Sequence, residues 1–130
     1  MANTASLVDY QVLFHGAFLL DAHTSTHEKT LNFTVPSDMI LSSDSRKPVL
    51  AFHAIPIEDT RFKIWVNSRE ILSWHLGPGS TRGLWSPFNA SETFPEGSSF
   101  TNPPPIRFFV SEGKTYFENV ILWYQIDRNP

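Results

Sequence analysis

The chain has no cysteine. Disulfides, thiolate zinc sites and thiol nucleophiles are therefore excluded. Charge is also scarce. Asp, Glu, Lys and Arg make up 18% of the residues, where about a quarter is usual. There is no basic excess: 10 Lys and Arg stand against 13 Asp and Glu, for a net charge of -3. A phosphate-binding surface needs clustered basic side chains, so nucleic acid is not an expected partner. No apolar run approaches the roughly 20 residues that cross a bilayer, so no membrane span is expected. The opening "MANTASLVDY" lacks the basic-then-apolar pattern of a secretory leader. The expectation is a cytoplasmic protein, with signal-independent release left open. The sequons at Asn32 and Asn89 then read as chance matches. Helical periodicity is nearly absent as well, so long amphipathic helices are not expected.

What is present is apolar and aromatic. Hydrophobic residues reach 41% of 130, with eleven Phe and four Trp. That is enough for one compact domain over residues 1–130, with a core of its own. The hydrophobic pattern has period 2. "KTLNFTV" sets Leu31, Phe33 and Val35 on one face. "RFKIWVN" sets Phe62, Ile64 and Val66 on one face, with Lys63 and Trp65 opposite. "EILSWHL" follows after a short polar turn at Asn67-Ser68-Arg69, with Leu72, Trp74 and Leu76 on its apolar face. This pair reads as a β-hairpin with Trp74 in the core.

Four further runs are apolar on both faces: "YQVLFHGAFLL", "PVLAFHAIPI", "PIRFFVS" and "YFENVILWYQI". They suit central strands or strands at a subunit contact. Trp123, in the last of them, is expected to be a core or interface anchor. Most of the ten prolines punctuate the boundaries between runs, because proline cannot donate to a ladder. The fold expected is all-β: a single-domain antiparallel β-sandwich, a jelly roll of about eight strands.

The second half resembles the galactose-binding-like jelly-roll domains, a group of carbohydrate-binding-module-like β-sandwiches. The motifs are "FKIWVNSREI", the long stretch 77 to 104, "IRFFVSEG" and the closing "FENVILWYQ", over about residues 61–125. Ser68 stands where those domains often have a turn glycine, and Asn119 where they often have aspartate. The resemblance implies a jelly roll, frequently one that binds carbohydrate, sometimes with a structural Ca2+. These are structural motifs, and a fold does not carry a function with it.

The segment "WHLGPGSTRGLWSPFN" is the first candidate site. Sugars are held by an aromatic face against ring C–H groups and by planar donors and acceptors for the hydroxyls. Trp85 would be the stacking platform, with His75, Arg82 and Asn89 as polar contacts. Gly77, Gly79 and Gly83 would let the backbone bend around a ligand, while Pro78 and Pro87 would limit its freedom. The competing reading is ordinary turn chemistry. The function this favours is a lectin-like carbohydrate-binding module with its site at the end loops and no cofactor.

Two other classes stay open. His15 and His53 lie in apolar strands and, with Glu118, form an acid–base set for a small β-sandwich enzyme with an interior cleft. The sequence carries no nucleophile elbow, phosphate loop or dinucleotide fingerprint. A structural or assembly protein is the third class. Trp65, outward with Lys63 and Asn67, points to a homo-oligomer, most simply a dimer. Weak metal candidates are His23 and His27, four apart in "DAHTSTHEK", together with Asn119 and Asp127 for Ca2+.

Overall fold

The computed structural model describes residues 5–36, 39, 47–79, 81–88 and 105–128, with the side chains of 5–7, 127 and 128 outside the description. Among the described residues eight strands form: β1 (Ala5–Asp21), β2 (Glu28–Asn32), β3 (Val49–Pro56), β4 (Thr60–Val66), β5 (Arg69–Leu76), β6 (Arg82–Pro87), β7 (Pro105–Glu112) and β8 (Lys114–Arg128). They make two four-stranded antiparallel sheets. The front sheet has the order β1-β8-β3-β6 and the back sheet β2-β7-β4-β5. This is the strand order of an eight-stranded jelly roll. Only the β4–β5 connection joins strands of the same sheet; the others carry the chain across the sandwich.

The two inner faces meet in an aromatic core. Phe52 and Phe117 come from the front sheet, Phe62 and Phe108 from the back sheet, and all four are buried. Phe108 and Phe117 lie 5.0 Å apart between ring centroids, Phe62 and Phe117 5.1 Å, and Phe52 and Phe108 5.4 Å. Each pair meets edge to face, the arrangement favoured by ring quadrupoles and worth about 0.5–1.5 kcal/mol beyond burial. Leu50, Leu122, Ile64 and Ile106 fill the space around them.

The β4–β5 hairpin follows the alternation in the sequence. Val66 pairs with Arg69, leaving Asn67 and Ser68 as a two-residue turn. Both have positive φ, 46° and 75°, as a type I′ turn requires. Asn tolerates this conformation, but serine does so at a cost.

Strand geometry also takes two tryptophans out of the core. Trp123 stands between inward-pointing Leu122 and Tyr124, so its ring turns outward and meets Tyr10 at 4.9 Å. It is half-buried rather than core. Trp74 is 41% exposed. It pairs with buried Phe62, but β5 is the edge of the back sheet, so its inner row overhangs the rim. Trp65 does point outward from β4 and is half-buried.

The chain passes from the back sheet to the front through Gly113, between β7 and β8. Its φ is +78°. A Cβ placed there would strike the Asp59 carbonyl oxygen, with the carbonyl carbon at 2.8 Å and Thr60 Oγ1 at 2.9 Å. Both the conformation and the space demand glycine. Gly113→Ala is expected to destabilise by about 3 kcal/mol or more, combining left-handed strain with overpacking against backbone. Thermal melting of the two proteins checks this, and an unchanged midpoint would contradict the described corner. The opposite sign is expected at Ser68. Ser68→Gly relieves the left-handed strain and should raise stability by about 0.5–1 kcal/mol, read from urea unfolding midpoints.

Candidate functional site

The residues expected to make one recognition loop are distributed over different surfaces. His75 lies on β5 of the back sheet, where its Nε2 bonds the Asp59 carboxylate at 2.8 and 2.9 Å. Arg82 opens β6 opposite inward-facing Ala54 and is exposed at the rim of the front sheet. Trp85 follows on β6 opposite Ala51 and is 68% exposed on the outer front face. Asn89 lies outside the described residues. The segment does not form a continuous loop, because residues 82–87 add an edge strand to the front sheet. The signal was present in the alternation of Leu84, Ser86 and Phe88 with Trp85 and Pro87. The Gly and Pro residues around it read more strongly as turn chemistry.

The acid–base set is partly assembled. His53 and Glu118 are direct partners across β3 and β8. His15 sits in the β1 bulge between Phe14 and Ala17, and Ala17 pairs with Glu118. Both histidines are exposed and Glu118 is half-buried, so the expected interior cleft is not formed. The cause is register: His53 falls on the outward row with Ala51 and Ile55, and the bulge turns His15 out of the core.

The metal candidates are separated. His23 accompanies Glu58 at 3.4 Å, while His27 Nδ1 contacts the Thr24 carbonyl at 3.0 Å. Asn119 Oδ1 accepts from the Gly16 amide at 3.3 Å. Asn119 and Asp127 are eight residues apart on one strand, roughly 25 Å, so they cannot hold one Ca2+. Among the described residues no group of three or more His, Cys, Asp or Glu gathers as a metal site.

Two outer faces remain, and their chemistry differs. The back face is polar and aromatic together. Arg107 of β7 lies over the Trp65 ring of β4, with its guanidinium carbon 4.5 Å from the ring centroid. Glu28 of β2 meets Arg107 Nε at 3.3 Å. Phe109 stands edge-on to Trp65 at 6.0 Å. The Trp65–Arg107 pair floors an open groove of about 380 Å³ that Thr30, Ser68 and Pro105 complete. A second open groove of about 280 Å³ is lined by Arg61, Lys63, Ser73, His75 and Ser111, among others. Arg61 pairs with Glu112 at 3.2 Å and Lys63 with Glu70 at 3.4 Å. Sequence reasoning sought a tryptophan beside an arginine within one segment. The structure builds that pair from strands 42 positions apart (107 against 65), a distance that no local pattern reveals.

The front face is apolar. Val12, Ile121, Ala51 and Trp85 form one row across the four strands, and Tyr10, Trp123, Val49 and Pro87 form the next. A shallow depression of about 190 Å³ beside Trp85 is lined by Ala51, His53, Asn119, Ile121 and Trp123, among others.

No family model matches the chain, and no curated protein sequence matches it. Among solved structures it is similar to the crystal structure of dimeric latent PorU from Porphyromonas gingivalis, with a TM-score of 0.56 and 12% identity. The match covers 95% of this chain and 13% of that one. At that identity the likeness is one of fold: an antiparallel β-sandwich, which is also the part of the galactose-binding-like resemblance that stands.

Proposed function

We propose that the chain is a carbohydrate-binding β-sandwich whose ligand lies in the back-face groove over Trp65 and Arg107. The observation that carries this reading is the stacked Trp65–Arg107 pair on the floor of an open groove. A pyranose offers C–H groups on one side and hydroxyls on its rim. Pro105 and the exposed part of the half-buried Trp65 ring, beside the Arg107 guanidinium that lies over it, supply apolar surface for the first. Arg107, Thr30 and Ser68 supply donors and acceptors for the second. The contact with Glu28 holds the Arg107 head in place, which reduces the ordering cost of binding. The groove is formed on paired strands and the tight β4–β5 turn, so its geometry is already set.

The rival platform for the same ligand class is Trp85 on the front face, favoured by its 68% exposure and by His53 and Asn119 nearby. Tryptophan fluorescence titrated with the hits of a glycan array distinguishes the two. Arg107→Ala should weaken binding roughly 10- to 100-fold, as loss of a charge-assisted hydrogen bond would. Trp65→Ala should do the same, and Trp85→Ala should leave affinity unchanged. The reverse pattern would move the site to Trp85. A folded wild-type protein that binds no glycan would end the carbohydrate reading.

A further inference from the structure

We infer that the outer face of the front sheet is a self-association surface, on which a second copy of this chain packs face to face. The side chains that water leaves uncovered are concentrated there. Val8 is 66% exposed, Tyr10 51%, Val12 51% and Trp85 68%, and Leu19 and Tyr116 join them. Pairing places all six on the outward rows: Val8 beside Gln125, Tyr10 beside Trp123, Val12 beside Ile121, Leu19 beside Tyr116, and Trp85 beside Ala51. Half-buried Val49, Ile55, Ile121 and Trp123 fill the surface between them.

Area is the first argument. The six side chains together expose on the order of 600 Å², with aromatic rings offering about 150–250 Å² each when free. A monomer's largest apolar patch is typically about 300–600 Å². The half-buried neighbours bring the face close to the roughly 800 Å² that each partner contributes to a standard stable interface.

Charge is the second argument, and it favours a second copy over a charged partner. Among the described residues the two central rows of this face, Val12-Ile121-Ala51-Trp85 and Tyr10-Trp123-Val49-Pro87, carry no acidic or basic side chain. His53 and Glu118 lie in the neighbouring row, exposed His15 stands in the β1 bulge, Asp21 and Lys114 pair at the far end, and Lys47 borders Val8 and Trp123. The back sheet carries the pairs Arg61–Glu112, Lys63–Glu70 and Arg107–Glu28. Central rows without acidic or basic side chains meet their own copies without repulsion, as an isologous contact requires. A two-fold axis parallel to the strands, between β8 and β3, lays the β6 edge of one copy over the β1 edge of the other. Trp85 at one end of its row then faces Val12 at the other end, with small Ala51 between them in the row. The self-association expected at Trp65 is thereby placed on the opposite sheet; Trp65 itself lies under Arg107. The dimer buries the front faces and leaves both back-face grooves open, so it stands independently of the carbohydrate reading.

Sedimentation equilibrium and light scattering over a concentration series test it with the full chain. The wild type should give twice the 14.8 kDa chain mass. Tyr10→Glu and Trp85→Glu each force a carboxylate into the contact and should raise the dimer Kd roughly 100-fold. Trp65→Ala should leave the dimer intact. Far-UV circular dichroism and melting verify that the variants are folded, and Val8→Lys gives a third probe at the periphery of the face. A wild type that is monomeric at every concentration would overturn the inference, because the face would then be free or reserved for a different partner. A dimer that persists in folded Tyr10→Glu and Trp85→Glu would overturn it as well.

Discussion

Where the chain changes sheets, it runs backbone against backbone, and the sandwich depends on that contact. Gly113 turns the chain from β7 into β8 with its α-carbon against the Asp59 carbonyl. Asp59 belongs to the neighbouring crossing, from β3 to β4. The two crossings are also joined by hydrogen bonds. The Lys114 carbonyl accepts from the Ile57 amide at 3.0 Å and from Thr60 Oγ1 at 3.1 Å. The first crossing, from β1 to β2, joins them through the Ala22 amide, which donates to the Gly113 carbonyl at 2.9 Å. Thr60 is buried, and its hydroxyl donor has carbonyl acceptors at Glu58 and Lys114. An unpaired hydroxyl at such a position would be costly. These bonds set the separation and register of the sheets at one end, and the phenylalanine core then fits between sheets already held at that spacing.

With the interior occupied by rings, the two outer faces are free to differ. The back sheet interleaves aromatics with ion pairs, as a wetted surface can. The front sheet is apolar inside and largely apolar outside. Antiparallel sheets commonly keep one solvated face, and the back sheet follows that rule. The departure from it on β1, β8, β3 and β6 makes the two outer faces chemically distinct. The β1 edge itself is guarded: Asp9 Oδ1 accepts from the Tyr10 amide at 2.8 Å. Gln11 binds both the Thr34 carbonyl and its amide, at 2.6 and 3.1 Å. Such devices discourage edge-to-edge pairing along β1.

The fold was legible because period 2 is a local signal. Phe62, Ile64 and Val66 against Lys63 and Trp65 are visible in a seven-residue window, and so is the turn after them. In runs that are apolar on both faces, the inward face cannot be assigned from the pattern, and Trp123 was left between core and interface for that reason. Trp74 failed differently: its face was right, but sequence does not say which strand becomes an edge. β6 was hidden because Gly83 and Pro87 resemble turn residues. The candidate site was the least legible part. Trp65 and Arg107 come together through β4–β7 pairing, and His75 and Trp85 come apart because the chain changes sheets between β5 and β6. Both outcomes are set by topology, to which local composition is blind.

The outermost pairing has a consequence for how such a unit can be used. Ala5 and Arg128 are direct partners at the end of the β1–β8 ladder. The described chain therefore enters and leaves at one point, with both strands running side by side into the body of the sandwich. A unit with adjoining ends can be spliced into a surface loop of a host protein without opening the host, as a single protrusion on two antiparallel stems. The same geometry permits the ends to be joined by a short linker and the chain to be reopened at the Asn67-Ser68 turn. That rearrangement would leave every strand in place while changing the order in which the two sheets are threaded.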